Sequence, residues 1–325
     1  MRGIHTVEIS DKRVHYILRL RRNITVIAGD SATGKSTIVK MLTRYRIAQG
    51  KGYIKVSADV PVYAFPIADA QTDLRLISSY RNSIVILDEG AVYMTSKDFA
   101  EIVARSSCYF VLITRESLPM LPYSVEEVYD LHSSRTNTED ARFFHTMNRL
   151  YHSLYNLCIA KSVVTEDSNS GYDFFHALCN CPVDSAKSIS KVAEKIRQAT
   201  DTSAVIIDGA GAGAYMRSIL KAAENSDHEI CIWAEESFEY LILKSGIIHD
   251  REIPLILKAP ENFIDSETYI SWERFFTHLI IEKTKHTVLA YTKKRLSARY
   301  LEPANADRIW NEIPEGLELP RKPLQ

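Results

Sequence analysis

The sequence has few of the features that mark membrane, secreted or strongly charged proteins. Its apolar runs stay well short of the roughly 18 residues that a membrane-spanning helix needs, and the N-terminal stretch MRGIHTVEISDKR lacks the apolar core of an export signal. Of the five cysteines only Cys179 and Cys181 lie close together, so we expect neither a disulfide framework nor a zinc pair. The formal net charge of −1 gives no general attraction to nucleic acid or acidic membranes. These absences predict a cytoplasmic protein without membrane contact.

The chain is long enough for two domains. Its 325 residues, 46% of them hydrophobic and 25% charged, are typical of globular proteins with at least one large core. The composition changes at the polar run LHSSRTNTEDAR, where we place a boundary. We predict an N-terminal domain at 1–135, a linker helix at 136–160, an α/β domain at 161–302 and a proline-containing tail at 303–325 without assigned structure.

A glycine-rich stretch, AGDSATGKST, lies between a predicted strand (ITVIA, 24–28) and a predicted helix. Its glycines let backbone N–H groups turn toward phosphates, and the helix N-terminus adds a partial positive charge. In the pattern G-x-x-x-x-G-K-S, Lys35 reaches the β- and γ-phosphates and the Ser36 hydroxyl ligates Mg²⁺. The predicted nucleotide-binding residues are Gly29, Asp30, Ser31, Ala32, Thr33, Gly34, Lys35, Ser36 and Thr37.

Two later strands supply partners for this loop. The apolar run IVIL ends in Asp88, which can hold Mg²⁺ as a Walker-B aspartate does, and Glu89 follows where P-loop ATPases carry the carboxylate that polarises the attacking water. The strand YFVLI is followed by Thr114 and Arg115, at the edge that faces the ligand in doubly wound sheets. We predict Lys35, Glu89 and Arg115 as catalytic residues, with ATP and Mg²⁺ as cofactors. ATP is favoured over GTP because no N/T-K-x-D motif follows Asp88.

The first 135 or so residues resemble the P-loop NTPase superfamily, and within it the core shared by ABC-type and OLD (overcoming lysogenization defect) ATPases. A hairpin-like lead-in precedes RRNITVIAGDSATGKST, VILDEG stands where those enzymes carry LDE-P, and VLITRE stands where they carry a strand ending in Thr-His. The resemblance implies nucleotide binding and gives Arg115 the position of the switch histidine. The chain has no SGG-type signature, and the interval between Lys35 and Asp88 is too short for the ABC helical subdomain, so a homodimer closed over ATP gains little support.

The second half alternates short apolar strands with helices, which predicts a second, mostly parallel sheet. IPLILKAP is predicted as a further strand, and SWERFFTHLIIEKT and TKKRLSARYL as C-terminal helices. Acidic residues follow the strands: Glu166 and Asp167, then Asp208, then Glu235 and Glu236. Because parallel strands end at one edge, where oxygen ligands can gather Mg²⁺, we predict Glu166, Asp208 and Glu235 as metal ligands.

This order of strands, helices and acidic residues is similar to the TOPRIM fold, which follows the ATPase domain in OLD proteins. The expected fold is therefore α/β: a P-loop parallel sheet with flanking helices, a smaller TOPRIM-like domain and C-terminal helices. TOPRIM domains carry Asp-x-Asp where this chain has Ala234-Glu235-Glu236-Ser237. A metal-dependent nuclease, an inactive TOPRIM-like domain and an unrelated α/β domain stay open.

Three functions stay open for the whole chain. In the first, the protein is an ATPase that gates its C-terminal domain or a partner protein, with DNA as a candidate ligand. In the second, it is a nucleotide-responsive binding module that senses ATP through Arg115 with little turnover. In the third, it is a small-molecule kinase, which would suit the short interval between the glycine-rich loop and Asp88. Three basic clusters bear on DNA binding, because cations interleaved with aromatics suit nucleic acid, although solvated helix faces explain the same residues. They are Arg19, Arg21 and Arg22; Arg44 and Arg46; and Lys293, Lys294, Arg295 and Arg299 beside Tyr291 and Tyr300.

Overall fold

Two units, each with its own sheet, divide the chain in the computed structural model, which describes residues 1–29, 34–65, 70–135, 143–151 and 157–323. The first unit comprises Met1–His152 and Ala259–Ile270, and the second comprises Ser153–Lys258 and Ser271–Gln325. Both combine helices with strands, so the predicted α/β class is confirmed. Along the described ranges, no helix is both long and apolar enough to cross a membrane.

The first unit is built on a mixed sheet of nine strands among its described residues. In chain order they are β1 (His5–Ser10), β2 (Val14–Leu20), β3 (Ile24–Ile27), β4 (Lys55–Ala58), β5 (Val62–Phe65), β6 (Ile84–Leu87), β7 (Tyr109–Ile113), β8 (Val128–Arg135) and β9 (Phe143–Arg149). Their spatial order is β4-β1-β2-β9-β8-β3-β7-β6-β5. The run from β8 to β5 is parallel, as predicted, whereas β1 pairs antiparallel with both β2 and β4.

Within the described ranges, three α-helices accompany this sheet: α1 (Lys35–Ile47), α2 (Ala70–Ser79) and α3 (Lys97–Ala104). Strands β3, β6 and β7 are buried along their whole length, which explains why they read as continuous apolar runs. Helix α1 buries Ile38, Met41 and Leu42 in the core, in keeping with their helical spacing. The strand before the glycine-rich stretch and the helix after it are confirmed.

Strand β9 corrects the predicted linker helix at 136–160. The spacing of Phe143 and Met147 predicts a helix face, but residues four apart also share a face in a strand. Strand β9 pairs on both sides, parallel with β2 and antiparallel with β8, and this backbone pairing decides its conformation. The first unit therefore continues past residue 135 to His152. Residues 136–142 and 152–156 of the predicted helix lie outside the described ranges.

The second unit carries a larger sheet and a two-stranded one in the part of the chain that the structure describes. Its strands are β10 (Cys158–Ile159), β11 (Ser162–Thr165), β12 (Val183–Ser185), β13 (Ser203–Asp208), β14 (Ile230–Glu235) and β15 (Leu317–Glu318). Its helices are α4 (Ser170–Leu178), α5 (Ile189–Arg197), α6 (Met216–Glu224), α7 (Phe238–Lys244), α8 (Ile253–Lys258), α9 (Trp272–Thr284) and α10 (Pro303–Trp310). The larger sheet has the order β12-β11-β13-β14 and is parallel throughout, which confirms the predicted second parallel sheet.

Three segments of the second unit differ from their predictions. IPLILKAP forms helix α8 rather than a strand, because a short apolar run suits either and a proline is tolerated in a first helical turn. TKKRLSARYL forms only a 3₁₀ turn at Ala298–Leu301. The tail at 303–325 is not without structure: it contains α10, which buries Ala306 and Ile309, and strand β15.

The cysteines also differ from expectation. Cys158 and Cys231 are joined by a disulfide within the second unit, whereas we predicted no such framework. The two residues are 73 positions apart, and no short spacing in the sequence marks them as a pair. Cys108, Cys179 and Cys181 are thiols.

We expect Ile309→Ala to destabilise the second unit. Ile309 is fully buried on α10, and truncating a buried isoleucine to alanine typically costs about 2–5 kcal/mol. The neighbouring Arg308→Ala, on the exposed face of the same helix, is the matched control and should stay within about 0.5 kcal/mol of wild type. Urea unfolding followed by circular dichroism measures both. Equal stability of the two variants would contradict the packing of this helix.

Candidate nucleotide site and acidic pocket

The loop between β3 and α1 ends at a lysine that turns back toward the start of the loop. Lys35 is the first residue of α1 and only 5% exposed, and its Nζ donates to the carbonyl oxygen of Gly29 at 2.7 Å. Gly29 and Gly34 have positive φ values of 101° and 89°, which other residues rarely adopt. Four predicted phosphate-binding residues lie outside the described ranges: Asp30, Ser31, Ala32 and Thr33. The described ends of the loop bring an ammonium group to the N-terminus of a helix.

Both glycines also have close neighbours at the position where another residue would carry a Cβ. A Cβ on Gly29 would lie 2.2 Å from Oδ1 of Asp130, and a Cβ on Gly34 would lie 2.6 Å from the hydroxyl of Tyr16. Asp130 belongs to β8 and Tyr16 to β2, so two strands of the sheet approach the loop closely. Neither residue belongs to the G-x-x-x-x-G-K-S motif, and sequence reasoning therefore missed both.

Ser36 and Asp88 lie side by side. The Ser36 hydroxyl donates to Oδ1 of Asp88 at 3.3 Å, and Asp88 is 8% exposed. The same carboxylate oxygen accepts the backbone amide of Glu89 at 2.9 Å, which holds the carboxylate at the end of β6. Strand β7 lies between β6 and β3, and all three are parallel, so Asp88 and the loop follow the same sheet edge. A hydroxyl and a carboxylate oxygen in contact are ligands that Mg²⁺ accepts.

Glu89 and Arg115 form an ion pair. The Nε of Arg115 lies 3.0 Å from Oε1 of Glu89, and the two side chains are 45% and 38% exposed. Glu89 follows β6 and Arg115 follows β7, which are neighbours in the sheet. The structure thus brings together the residue predicted to activate water and the residue predicted to sense phosphate, each neutralising the other.

The acidic residues predicted at the strand ends of the second unit meet at one edge. Glu166 follows β11, while Asp208 and Glu235 end β13 and β14 and face each other in register. The backbone amide of Asp208 donates to Oε2 of Glu166 at 2.9 Å. All three residues line one cavity of about 40 Å³, which is room for an ion or a few waters.

Further charged residues line this cavity, which we name the acidic pocket: Asp167, Glu239 and Lys293, the last of which pairs with Glu273. Glu239 on α7 is 1% exposed, and Lys293 follows α9. The Nζ of Lys293 lies 3.9 Å from Oδ2 of Asp208 and 3.9 Å from Oε1 of Glu239, and it forms a closer ion pair with Glu273 on α9. These residues come from separate elements, so no local sequence pattern could have identified them as partners.

Glu239 has an oxygen without a hydrogen-bond partner within the described part of the chain. Its Oε1 accepts the Tyr291 hydroxyl at 2.8 Å, and that hydroxyl lies 2.5 Å from the hydroxyl of Ser170, but Oε2 has no partner. A buried carboxylate oxygen left unpaired is costly. Among the described residues, no three acidic, histidine or cysteine side chains are yet arranged to hold a metal ion. Glu239 therefore has one oxygen paired with Tyr291 and a second, buried oxygen that could accept a further partner.

Burial and mutual repulsion raise the pKa values of the pocket. Burial raises the pKa of Glu166 to about 7, and the charges of neighbouring carboxylates raise it as well. The hydrogen bond from the Asp208 amide and the charge of Lys293 act in the opposite direction and lower it. Burial, followed by the charges of Glu273 and Glu166, raises the pKa of Asp208 well above its ordinary value, although 23% of its side chain is exposed. The pKa of Lys293 is also raised, because the surrounding carboxylates outweigh the effect of burial. The pocket therefore retains protons at pH values where exposed carboxylates have lost them.

The basic clusters singled out in the sequence are partly used inside the protein. Arg22 is 4% exposed, and both Arg21 and Arg22 form ion pairs with the buried Glu127. Tyr291 and Tyr300 are buried, so they are not available to stack on bases. The cluster members that are exposed are Arg19, Arg44, Arg46, Lys294, Arg295 and Arg299.

Comparison with known proteins assigns no family to the chain. No protein-family model matches the sequence, and a search of curated proteins finds no significant match. Functional assignment therefore depends on the residues of the two sites and their geometry.

We expect Glu166→Gln to raise the melting temperature of the metal-free protein more at about pH 8 than at about pH 5. The pKa of Glu166 is about 7 in the folded protein and near 4.5 when unfolded, so folding favours the protonated side chain. The stability that depends on this proton is fully present below the unfolded pKa and is lost as the pH rises through about 7. Glutamine resembles the protonated form and can still accept the Asp208 amide. Thermal unfolding in EDTA measures the effect. Glu224→Gln, at an exposed position, is the control; a melting difference for Glu166→Gln that is constant with pH would contradict this account.

Proposed function

We propose that the first unit binds a nucleoside triphosphate with Mg²⁺ and hydrolyses it, and we expect the nucleotide to be ATP. The observation that carries this proposal is the meeting of Lys35, Ser36 and Asp88 where parallel strands end. An ammonium group at a helix N-terminus suits a polyphosphate, and the adjoining hydroxyl and carboxylate suit magnesium. Motif and geometry support the same chemistry independently.

Each side chain has its own task in this proposal. Lys35, now bonded to the Gly29 carbonyl oxygen, turns to the phosphate oxygens. Ser36 and Asp88, whose side chains are in contact, would together hold Mg²⁺. Glu89 orients the attacking water and accepts its proton while the new P–O bond forms and the bond to the leaving diphosphate oxygen breaks.

The ion pair between Glu89 and Arg115 makes this activity conditional. While Arg115 pairs with Glu89, one oxygen of this carboxylate is engaged by the guanidinium group instead of by a water molecule. If Arg115 turns to a γ-phosphate oxygen, it stabilises the charge of the transition state and releases Glu89 in the same movement. A module that only senses nucleotide would need Arg115 but not Glu89, so the pairing favours the hydrolase.

We expect Glu89→Gln to retain Mg-ATP binding and to lower hydrolysis by roughly 10²- to 10⁴-fold, because a general base is lost without a change in shape.

Lys35→Ala should remove binding, since the ammonium group that faces the phosphates is gone. Calorimetry with Mg-ATP and Mg-GTP and a phosphate-release assay measure these effects, with the exposed Glu101→Gln as control.

The other outcomes separate the alternatives. Tight binding with negligible hydrolysis in wild type would favour the nucleotide-sensing module, and phosphate appearing on a third molecule would favour the kinase. Binding heat that Lys35→Ala does not remove would contradict the proposed site.

A second candidate function belongs to the second unit, which we propose to be a metal-dependent phosphodiesterase gated by the nucleotide cycle, with DNA as the candidate substrate. The observation that favours it is the buried, unpaired Oε2 of Glu239 in the acidic pocket. Glu166, Asp208 and Glu239 would hold Mg²⁺ or Mn²⁺, with Glu235 lining the same cavity. Such an ion supplies a Lewis acid for a phosphodiester. Lys293 is the one cationic side chain among the described residues that line the pocket, and it suits a phosphate oxygen.

We expect Asp208→Asn to weaken Mn²⁺ binding by the second unit roughly tenfold or more, because one charged ligand is lost. Calorimetry is carried out in the Lys35→Ala, Asp88→Asn background, so that the first unit contributes no magnesium-type site. Cleavage of supercoiled DNA with Mn²⁺ is followed in parallel. Asp227→Asn, which makes the same change at an exposed position, is the matched control. Equal heats for the two variants would contradict a metal site in the acidic pocket.

A further inference from the structure

Tyr16 touches the candidate nucleotide loop from the sheet. It lies within β2, is 1% exposed, and donates its hydroxyl to the carbonyl oxygen of Gly34 at 3.1 Å. The side chain of Thr37, in the first turn of α1, also hydrogen-bonds to this hydroxyl. Gly34 has a φ of 89°, and a Cβ there would lie 2.6 Å from the hydroxyl of Tyr16. Gly34, the described residue at the end of the loop, therefore contacts this tyrosine directly.

His145 supports the ring of Tyr16. The two residues are register partners in the parallel pairing of β2 with β9, and their rings stack with centroids 4.5 Å apart and planes 14° from parallel. His145 is 7% exposed, and its Nδ1 has no hydrogen-bond partner within the described ranges. Burial lowers the pKa of His145, which favours the neutral ring. The contact that His145 makes with Tyr16 is therefore a stacking contact.

The hydrogen bond to Gly34 determines how one peptide group is oriented. The Gly34 carbonyl oxygen accepts both the Thr37 amide, at 3.0 Å, and the Tyr16 hydroxyl, so both of its lone pairs are used. A trans peptide is planar, with its C=O and N–H pointing in opposite directions. Holding the Gly34 carbonyl toward Tyr16 therefore directs the Lys35 amide away from the sheet strand. The first amides of a helix have no acceptor within the helix and are the groups that bind anions.

We propose that Tyr16, stacked on His145, is the positioning group of the polyphosphate loop. It fixes the peptide between Gly34 and Lys35 so that the Lys35 amide faces the phosphates of a nucleoside triphosphate. This inference rests on the proposed nucleotide binding of the first unit. It adds to the motif two residues that do not touch the ligand and act through the backbone of the loop.

The chain offers a closely matched control in Tyr109. This tyrosine is also in the first unit, is 2% exposed, donates its hydroxyl to a glycine carbonyl (Gly3) at 3.1 Å, and lies against the ring of His5. Tyr16→Phe and Tyr109→Phe therefore remove the same kind of buried hydrogen bond. Only the first of these bonds reaches the loop.

The experiment compares these two variants with wild type in two measurements. Tyr16→Phe should bind Mg-ATP roughly two- to tenfold more weakly, because the hydrogen bond that orients the Gly34 carbonyl is lost, while Tyr109→Phe should bind as wild type does. In the nucleotide-free protein, amide hydrogen exchange of peptides covering residues 34–40 should be faster in Tyr16→Phe alone. Equal weakening in both variants, or unchanged affinity and exchange in Tyr16→Phe, would overturn the proposal.

Exchange also separates this inference from the proposed function. If wild type binds no Mg-nucleotide, nucleotide binding fails as a function, and faster exchange confined to Tyr16→Phe still supports positioning of the loop. Unchanged exchange in that case overturns the positioning role as well.

The role of His145 is tested by two substitutions that differ in stacking. His145→Phe keeps a flat ring against Tyr16 and should bind Mg-ATP within about twofold of wild type, whereas His145→Ala should weaken binding as much as Tyr16→Phe. Equal weakening in both would point to the imidazole nitrogens rather than to the stack. No weakening in either would remove His145 from the proposal.

Discussion

Parallel strand pairing is the constraint on which both candidate sites depend. Parallel neighbours need a crossover connection, so the strands of such a sheet end at the same edge. In the first unit β3, β7 and β6 end together, and the glycine-rich loop, Arg115 and Asp88 follow them. In the second unit β11, β13 and β14 do the same for Glu166, Asp208 and Glu235. The strand interiors are apolar and largely buried, so polar side chains are left to the strand ends.

The sheet edges of the two units differ in the charge of the ligand that would stabilise them. At the first edge Lys35 has a backbone carbonyl as acceptor and Glu89 is already neutralised by Arg115, which leaves a positive helix N-terminus suited to an anion. At the second edge the carboxylates face Lys293 and still leave a buried oxygen of Glu239 unpaired, which suits a cation. Buried charges are costly unless they are paired. Each edge is therefore suited to a ligand of the opposite sign, which is the basis for proposing a polyphosphate in one unit and a divalent metal ion in the other.

The elements that have a short, continuous pattern in the sequence could be predicted. These are the buried strands, helix α1 and the acidic strand ends, because apolar runs and residue spacing indicate them directly. Strand β9 and helix α8 could not: spacing by four suits helix and strand alike, and a short apolar run takes the conformation that its neighbours allow. Glu239 and Glu273 were missed, and Lys293 was assigned to a basic cluster instead of the acidic pocket, for another reason. They meet only after α7, α9 and the following loop have packed, and nothing near each residue in the sequence records that contact.

Strand β9, which was predicted to be a helix, acts on the glycine-rich loop through Tyr16. Strand β9 lies between β2 and β8, where it places His145 against Tyr16, and Tyr16 in turn bonds to the Gly34 carbonyl oxygen. At the other described end of the loop, a Cβ on Gly29 would lie 2.2 Å from a carboxylate oxygen of Asp130 on β8. The two described ends, Gly29 and Gly34, therefore have close neighbours on β8 and β2, and β9 pairs with both of these strands. The surroundings of a loop that looks local in the sequence thus depend on a strand contributed from far along the chain.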